Sequence, residues 1–557
     1  MNYFKPSRSL LYTFFSVILL TLSTSCEKDS NTDFSLFESV SSLYSGINFK
    51  NRIPVNKLTN SFIYEYVYNG GGVAVGDINN DGLDDIYFTS NLENNQLYLN
   101  LGNFEFKNIT EISNTKGNKG WSTGTNMVDI NNDGLLDIYV CRSGPYGKAS
   151  LLANELYINK GDNNDGIPLF EESAKEFGLN DTSNSIQSVF FDFDLDGDLD
   201  MYLLNHNPQK FSASGNRELF SPLGDKFYVN ENGTFINKTK DVGIYSNSIS
   251  YGLGIGVSDL NLDGWPDIYV SNDYDEPDYM YINQKDGTFK EAVKKATNHI
   301  SNFSMGNDIA DFDNDGFVDI ITLDMVSEDN YGMKTSMASM NPEKFNSNVK
   351  AGKHYQYMYN SFQKHTTHID SSGIPFFSDV AQITGVANTD WSWAPLLADF
   401  DNDGLKDIFI TNGIKKDFRN KDFYNLMKEY KSKNSDALTN ENKIMFLLDE
   451  MPIRPKKNYF YKNNGGLSFT NMSSEWNPNA SEMYSNGAAY ADFDNDGDLD
   501  IVVNNVDENA LILKNNSDKL NTNYIELEFR GLQKNTKGIG VKVLIFHDDK
   551  KQYYENY

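Results

Sequence analysis

Seven nine-residue windows of this chain set carboxylates at alternate positions around a glycine. They are Asp77–Asp85, Asp129–Asp137, Asp192–Asp200, Asp259–Asp267, Asp311–Asp319, Asp399–Asp407 and Asp492–Asp500. In every window positions 1, 3, 5 and 9 are Asp or Asn, and position 6 is Gly. Alternate residues in a tight loop turn their oxygens toward one centre, and glycine permits the sharp bend. An all-oxygen set of this kind suits a hard cation. Calcium, which takes about six to eight oxygens, is the one expected.

The expected ligand sets are Asp77, Asn79, Asp81, Leu83 and Asp85; Asp129, Asn131, Asp133, Leu135 and Asp137; Asp192, Asp194, Asp196, Asp198 and Asp200; and Asp259, Asn261, Asp263, Trp265 and Asp267. The last three are Asp311, Asp313, Asp315, Phe317 and Asp319; Asp399, Asp401, Asp403, Leu405 and Asp407; and Asp492, Asp494, Asp496, Asp498 and Asp500. Position 7 varies in type, as expected where only its backbone carbonyl binds. Windows two and four hold three acids each and are expected to bind most weakly. Up to seven Ca²⁺ are expected, all structural.

An EF-hand shares the first six positions but needs Glu at position 12 and flanking helices. Position 12 here is Phe88, Val140, Leu203, Val270, Thr322, Ile410 or Val503. Most of these belong to apolar runs such as Asp85-Ile86-Tyr87-Phe88, so each loop feeds a β-strand. A metal-free Asp-Gly hairpin turn is the competing reading, and it does not require four carboxylates.

The elements that position the loops repeat with them. A small-residue strand precedes each loop, as in Gly72–Gly76, Gly252–Gly256 and Gly487–Ala491. A third strand follows (Gln96–Asn100, Glu155–Asn159, Tyr279–Asn283), then a fourth (Phe104–Lys107, Gly287–Lys290). Four short strands per unit, with loop starts about 69 residues apart on average, predict an all-β, seven-bladed β-propeller. The seventh unit lacks a fourth strand after Ala510–Leu513. Phe37–Val40 and Gly46–Phe49 are expected to complete it and close the ring, removing open sheet edges. Insertions are expected at 206–225, at 325–353 in blade five and at 414–457 in blade six. The blade-five insertion holds the helix-compatible Asn341-Pro342-Glu343-Lys344-Phe345, and the blade-six insertion reads as helix, with Phe423, Leu426, Met427 and Tyr430 at helical spacing.

The N-terminus reads as an address. Lys5 and Arg8 precede an apolar run from Leu10 to Leu22, too short for an ordinary membrane span and right for a signal sequence. Leu22-Ser23-Thr24-Ser25-Cys26 resembles a bacterial lipobox, which implies lipidation at Cys26. The expected divisions are signal peptide 1–25, tether 26–33, propeller 34–516, and the start of a further β domain at 517–557. The expected location is the outer membrane, as a lipoprotein facing the cell surface or the periplasm. Cys141 follows an apolar strand and is expected to be buried and inert.

The chain of 557 residues carries 78 acids, 48 bases and a formal charge of −30. The windows hold 28 acids and one base, Lys406, and so account for −27 of it. The acidity is a ligand inventory, with the remaining surface nearly neutral. The absence of a basic stripe excludes nucleic acid as a partner. Two cysteines and six histidines exclude a disulfide scaffold and leave little for zinc.

The repeats resemble the FG-GAP/VCBS family, the calcium-loop blades of integrin α-chain heads and many bacterial surface proteins, over roughly residues 35–516. Asn523–Tyr557, with Gly538-Ile539-Gly540, resembles the start of an ASPIC/UnbV domain. Thr389-Asp390-Trp391-Ser392-Trp393-Ala394-Pro395 is similar to Bacteroidota proteins that pair these modules, a cartilage acidic protein-like architecture. The resemblance implies a fold and calcium ligands but no reaction.

Three motifs are set aside. Gly120-Trp121-Ser122-Thr123-Gly124 matches a nucleophile elbow but leads into a strand rather than a helix. His365 and His368 have no third zinc-type ligand nearby. Gly252-x-Gly254-x-Gly256 precedes no helix. The function expected is a non-enzymatic, lipid-anchored binding or adhesion protein that captures a glycan or protein partner at the cell surface. Phe211, Phe220, Tyr331 and Phe418 of the insertions are the candidate contacts. The alternative is a polysaccharide lyase or hydrolase built on a calcium propeller, with His354, Tyr355, Lys364 and Arg419 as candidates.

Overall fold

Each acidic window is a tight link between two antiparallel strands. Position 9 begins the second strand and pairs with the last residue of the first: Gly76 with Asp85, Ser258 with Asp267, Ala491 with Asp500. The computed structural model describes residues 34–557 apart from 146–147, 208–220, 248, 275, 337–340, 521, 532–533 and 548–549. Cys26, the signal peptide, the tether, Phe211 and Phe220 lie outside the described residues.

Seven four-stranded antiparallel sheets form the blades of an all-β propeller. Their first strands touch in order around the ring, the last meeting the first. Small residues are required there. A Cβ on Gly254 would sit 2.8 Å from the Met305 carbonyl, and one on Gly306 would sit 2.3 Å from that of Trp393. The fourth strands start later than expected, at Phe106–Asn108 and Phe289–Glu291. The turn consumes the residues between: Asn103 and Phe104 in blade one, and Lys285 and Gly287 in blade four, adopt positive φ.

The ring closes through the N-terminal segment. Phe37–Val40 pairs antiparallel with the third strand of blade seven, Leu511–Asn515, from Phe37↔Asn515 to Val40↔Ile512. The Phe37 ring stacks on Phe460 of blade six at 4.6 Å and also meets Phe400 and Trp476. Gly46–Phe49 forms no ladder strand. Its Ile47 and Phe49 instead fill the core between blades seven and one, with Phe49 stacked on Phe88 at 4.7 Å. Thus one short segment joins blades six, seven and one.

Because the loops join first to second strands, all seven lie at one end of the ring. Insertions that join second to third strands lie at the other. Those of blades five and six hold helices Asn330–Thr335, Pro342–Lys350, Lys421–Lys433 and Glu441–Glu450. Asn341 caps the second of these and Pro342 opens it, as helix starts favour. At this end residues 53–68 cross the axis. Ile53, Tyr64, Tyr66, Val67 and Tyr68 are buried against Trp121, Tyr251, Phe303, Trp391 and Val506 of other blades. Phe423, Ile444, Leu448 and Met451 of the blade-six helices and their flank pack with Val55 and Phe62 of this crossing segment.

The closure predicts a sharp asymmetry between neighbours. Phe37 is 1% exposed and Phe34 is 50% exposed. Phe37→Ala should cost about 3–5 kcal/mol in urea unfolding, and Phe34→Ala less than about 0.5 kcal/mol. Equal midpoints for the two variants would show that the N-terminal strand does not hold the ring closed.

Candidate functional site

The seven windows share one hydrogen-bond scheme. The position-1 carboxylate accepts the backbone N–H of position 5 on one oxygen and of the position-6 glycine on the other. In blade one the distances are 3.0 Å from Asp81 and 2.8 Å from Gly82 to Asp77, and the other six windows repeat the pair. Position 4 has positive φ in every window, from Asn80 to Asn495, as does the glycine after the next residue. Non-glycine residues adopt this conformation at a cost, and Asn, found at five of the seven, tolerates it best.

The position-9 carboxylate ties the loop to the blade. One oxygen of Asp85 accepts the Ile78 N–H of its own loop at 3.0 Å, and the other accepts the Asn100 N–H of the third strand at 2.7 Å. Asp137, Asp200, Asp267, Asp319, Asp407 and Asp500 do the same, the third-strand donors being Asn159, Asn230, Asn283, His365, Asn463 and Asn515. Sequence reasoning missed these asparagines, although the third strands visibly end in Tyr-x-Asn or a variant. In five blades the asparagine Nδ2 also donates to the position-2 carbonyl of the preceding blade's loop, for example Asn463 to Phe312 O at 2.8 Å and Asn100 to Phe493 O at 2.9 Å. Position-4 asparagines add a second belt: Asn80, Asn314, Asn402 and Asn495 reach the glycine carbonyl of the next blade's loop.

What remains in each loop differs. Three carboxylates converge within 4.8 Å at Asp192/Asp194/Asp200, Asp311/Asp313/Asp315, Asp399/Asp401/Asp407 and Asp492/Asp494/Asp500. Oδ1 of Asp313, Asp401 and Asp494 is buried without a hydrogen-bond partner among the described residues. A buried, orphaned carboxylate oxygen is costly unless a cation meets it, so these oxygen-only sets fit a hard divalent ion. In windows one and two the position-3 residue is Asn, and its amide instead donates to the position-5 carboxylate, Asn79 to Asp81 at 2.8 Å and Asn131 to Asp133 at 2.9 Å. In blades five to seven a third-strand lysine lies on the loop. Lys364 pairs with Asp313 at 2.5 Å and Asp315 at 2.7 Å, Lys462 with Asp401 and Asp403, and Lys514 with Asp494 and Asp496.

The C-terminal segment supplies further groups to the loop end. Its strands Val541–His547 and Lys550–Asn556 form a hairpin, whereas Asn523–Phe529, which alternates like a strand in sequence, forms none. Lys537 reaches Asn80, Thr536 reaches Asp129, Lys534 reaches Asp198, Lys542 reaches Asp259, and Gln552 reaches the Gly404 carbonyl. Tyr553 is buried beside Leu260 and Val318.

The other sequence candidates disperse. Lys364 belongs to the blade-five loop, while Arg419 lies at the opposite end of the ring. His354 is buried, its Nε2 3.0 Å from the Thr297 hydroxyl. His365 is buried and stacked on Phe317 at 4.5 Å, and His368 is exposed, so the two form no metal pair. Ser122 is buried within strand Trp121–Val128, with no elbow. Cys141 is buried, and burial pushes its thiol up to about 12.

A narrow cleft of about 20 Å³ lies at the insertion end. Trp391, Trp393, Tyr274 and Phe418 line it around Arg419, Asp273 and Glu65. Phe418 is half-buried here rather than exposed, its ring 5.9 Å from that of Trp391. The Arg419 guanidinium lies 5.0 Å over the Tyr274 ring, donates to the Tyr274 hydroxyl at 2.5 Å and reaches Glu65 at 3.4 Å. Tyr66 donates to Asp273 at 3.1 Å. Burial pushes the Asp273 carboxyl up to about 7 against the pull of Arg419. The Thr389–Pro395 motif builds one wall: Asp390 is buried and holds Arg454 at 2.7 Å and Lys456 at 3.0 Å, and Trp393 Nε1 donates to the Gly413 carbonyl at 2.7 Å.

Burial raises every position-9 carboxyl, to about 8 at Asp85, about 7 at Asp137, about 8 at Asp200 and about 9 at Asp500, with Asp267, Asp319 and Asp407 also well above the carboxylate range. A carboxyl raised on folding holds a proton that the unfolded chain has released. Its stabilisation is therefore present below the unfolded value and lost as pH rises through the folded one. Without divalent ions the melting temperature should fall between about pH 5 and about pH 8. Millimolar calcium, which binds the deprotonated form, should flatten or reverse the slope. Parallel slopes in chelator and in calcium would show that the loops hold no ion.

Residues 63–140, 259–322 and 446–503 match the model of the FG-GAP-like repeat family. These stretches contain windows one, two, four, five and seven. No curated protein matches the chain significantly. Among solved structures, an Agrocybe aegerita lectin described as specifically recognising non-reducing terminal N-acetylglucosamine is 14% identical, with a TM-score of 0.37 over 73% of this chain and 82% of that chain. The exotype rhamnogalacturonan lyase YesX is 10% identical, with a TM-score of 0.35 over 81% of this chain and 72% of that chain. The chain thus carries FG-GAP-like repeats on a seven-bladed β-propeller.

Proposed function

We propose that the protein is a calcium-stiffened binding module that presents its insertion-bearing end to a glycan or protein at the cell surface. The observation that carries this reading is the cleft in which aromatic faces meet one arginine and two carboxylates. Aromatic faces favour the apolar side of a sugar ring, and polar groups set among them fix its hydroxyls. Trp391 Nε1 and Arg419 Nε are buried donors without partners among the described residues, ready for an acceptor. The cleft has room for about one small group. An extended ligand that inserts one projecting group and lies along the rim therefore fits better than an engulfed small molecule. Tyr331 (76% exposed) on the blade-five insertion and Tyr355 (46% exposed) on its flank extend the surface available to it.

Calcium in this reading is structural. The window residues hold it, and it supplies the charge that lets several carboxylates face one another. Extracellular modules bind with about 10⁻⁴–10⁻³ M affinity, so tenfold excess adds about 1.4 kcal/mol per occupied loop. Anchoring through a lipidated Cys26 in an outer membrane completes the proposal. It rests on the Leu22–Cys26 pattern.

A second reading is favoured by Asp273. A buried carboxyl poised at about 7 beside Glu65 and Arg419 has the properties of a general acid or base, which would make the protein a polysaccharide lyase or hydrolase. One panel separates the two. Arg419→Ala should reduce retention on immobilised polysaccharides at least tenfold, about 1.4 kcal/mol. Asp401→Asn should lower the chelator-sensitive melting temperature but leave retention intact in saturating calcium. Unsaturated or newly reducing products from any polysaccharide would decide for the enzyme. Equal retention by wild type and Arg419→Ala would remove the cleft from the binding surface.

A further inference from the structure

Two windows carry Asp at position 7, Asp198 in blade three and Asp498 in blade seven. Both side chains are buried, at 5% and 0% exposure. A carboxylate removed from water needs a charged or donating partner. Blade three provides one, for Lys534 Nζ lies 3.0 Å from Asp198 Oδ2. Blade seven gives Asp498 neutral donors but, among the described residues, no such ammonium. There the residue brought to position 7 is a further acid, Asp518, from the one-turn segment Ser517–Leu520 that follows the blade.

Carboxylate oxygens of Asp496, Asp498 and Asp518 all lie within 4.8 Å of one another. The Asp518 N–H and the Ser517 hydroxyl donate to Asp498 Oδ2 at 3.1 and 3.3 Å. Asp498 Oδ1 is buried with no hydrogen-bond partner among the described residues. Lys514 is engaged with Asp494 and Asp496 and forms no ion pair with Asp498. Three carboxylates are therefore gathered together, and Asp498 among them carries a buried oxygen that nothing among the described residues donates to.

We propose that Asp496, Asp498 and Asp518 hold a second divalent cation beside the one expected in window seven, with Asp496 shared between the two. Oxygen donors alone, with the exposed Asp518 leaving one side open to water, suit calcium. A cation here does for Asp498 what Lys534 does for Asp198. The proposal rests on the calcium reading of the windows only for the shared ligand. Position 7 thereby contributes a side chain, and Asp518 contributes from outside the repeat.

Equilibrium dialysis of the full chain against calcium alone tests this, with Asp518→Asn and Asp518→Lys as variants. Each variant should bind one equivalent fewer than wild type at about 1 mM free calcium. In chelator, Asp518→Lys should melt above wild type, because its ammonium takes the cation's place. Circular dichroism in calcium checks that both variants keep the propeller. An unchanged calcium count in both variants would overturn the second site while leaving the windows standing. No binding by wild type would overturn both.

Discussion

The position-9 carboxylate is the interaction on which the ring depends. In all seven blades one side chain joins three elements: the start of the second strand, the loop that precedes it, and the end of the third strand. These hydrogen bonds are buried, which makes leaving any of the groups unpaired costly. The third-strand asparagine then carries the restraint outward, its amide reaching the loop of the preceding blade. Loop geometry is thus coupled to blade spacing. A cation that tightens a loop tightens the joint beside it.

The same arrangement concentrates negative charge at one end of the molecule. Blades five to seven lay a third-strand lysine on the loop, and windows one and two replace one acid by an asparagine whose amide donates inward. The C-terminal segment adds Lys534 and Lys542 to loops three and four. These groups neutralise part of the charge and leave several buried oxygens unmatched. The loops with orphaned oxygens are those where an ion gains most, since the desolvation cost there is already incurred.

The two ends of the ring differ in character. The loop end is polar, repetitive and covered in part by the C-terminal hairpin. The insertion end is aromatic and irregular, because insertions after the second strand are free of the hydrogen-bond scheme that disciplines the loops. Function concentrates where a scaffold allows irregularity. The cleft draws its residues from the segment before blade one and from blades four, five and six, so it exists only once the ring has closed.

Much of this was legible in the sequence. A period-two pattern of Asp around an invariant Gly determines loop, strand and oxygen-donor set locally, and repeating it seven times determines the propeller. Phe37–Val40 was readable as the missing strand because a ring with an open edge is unfavourable. Other features depend on residues far apart in the chain. Asn463 owes its role to a carbonyl 151 residues away, Arg419 to Glu65 at 354, and Asp198 to Lys534 at 336. Local pattern carries conformation and donor type, because those follow from spacing along the backbone. Which donors share a charge, and which are left without a partner, is decided only when packing sets distant segments side by side.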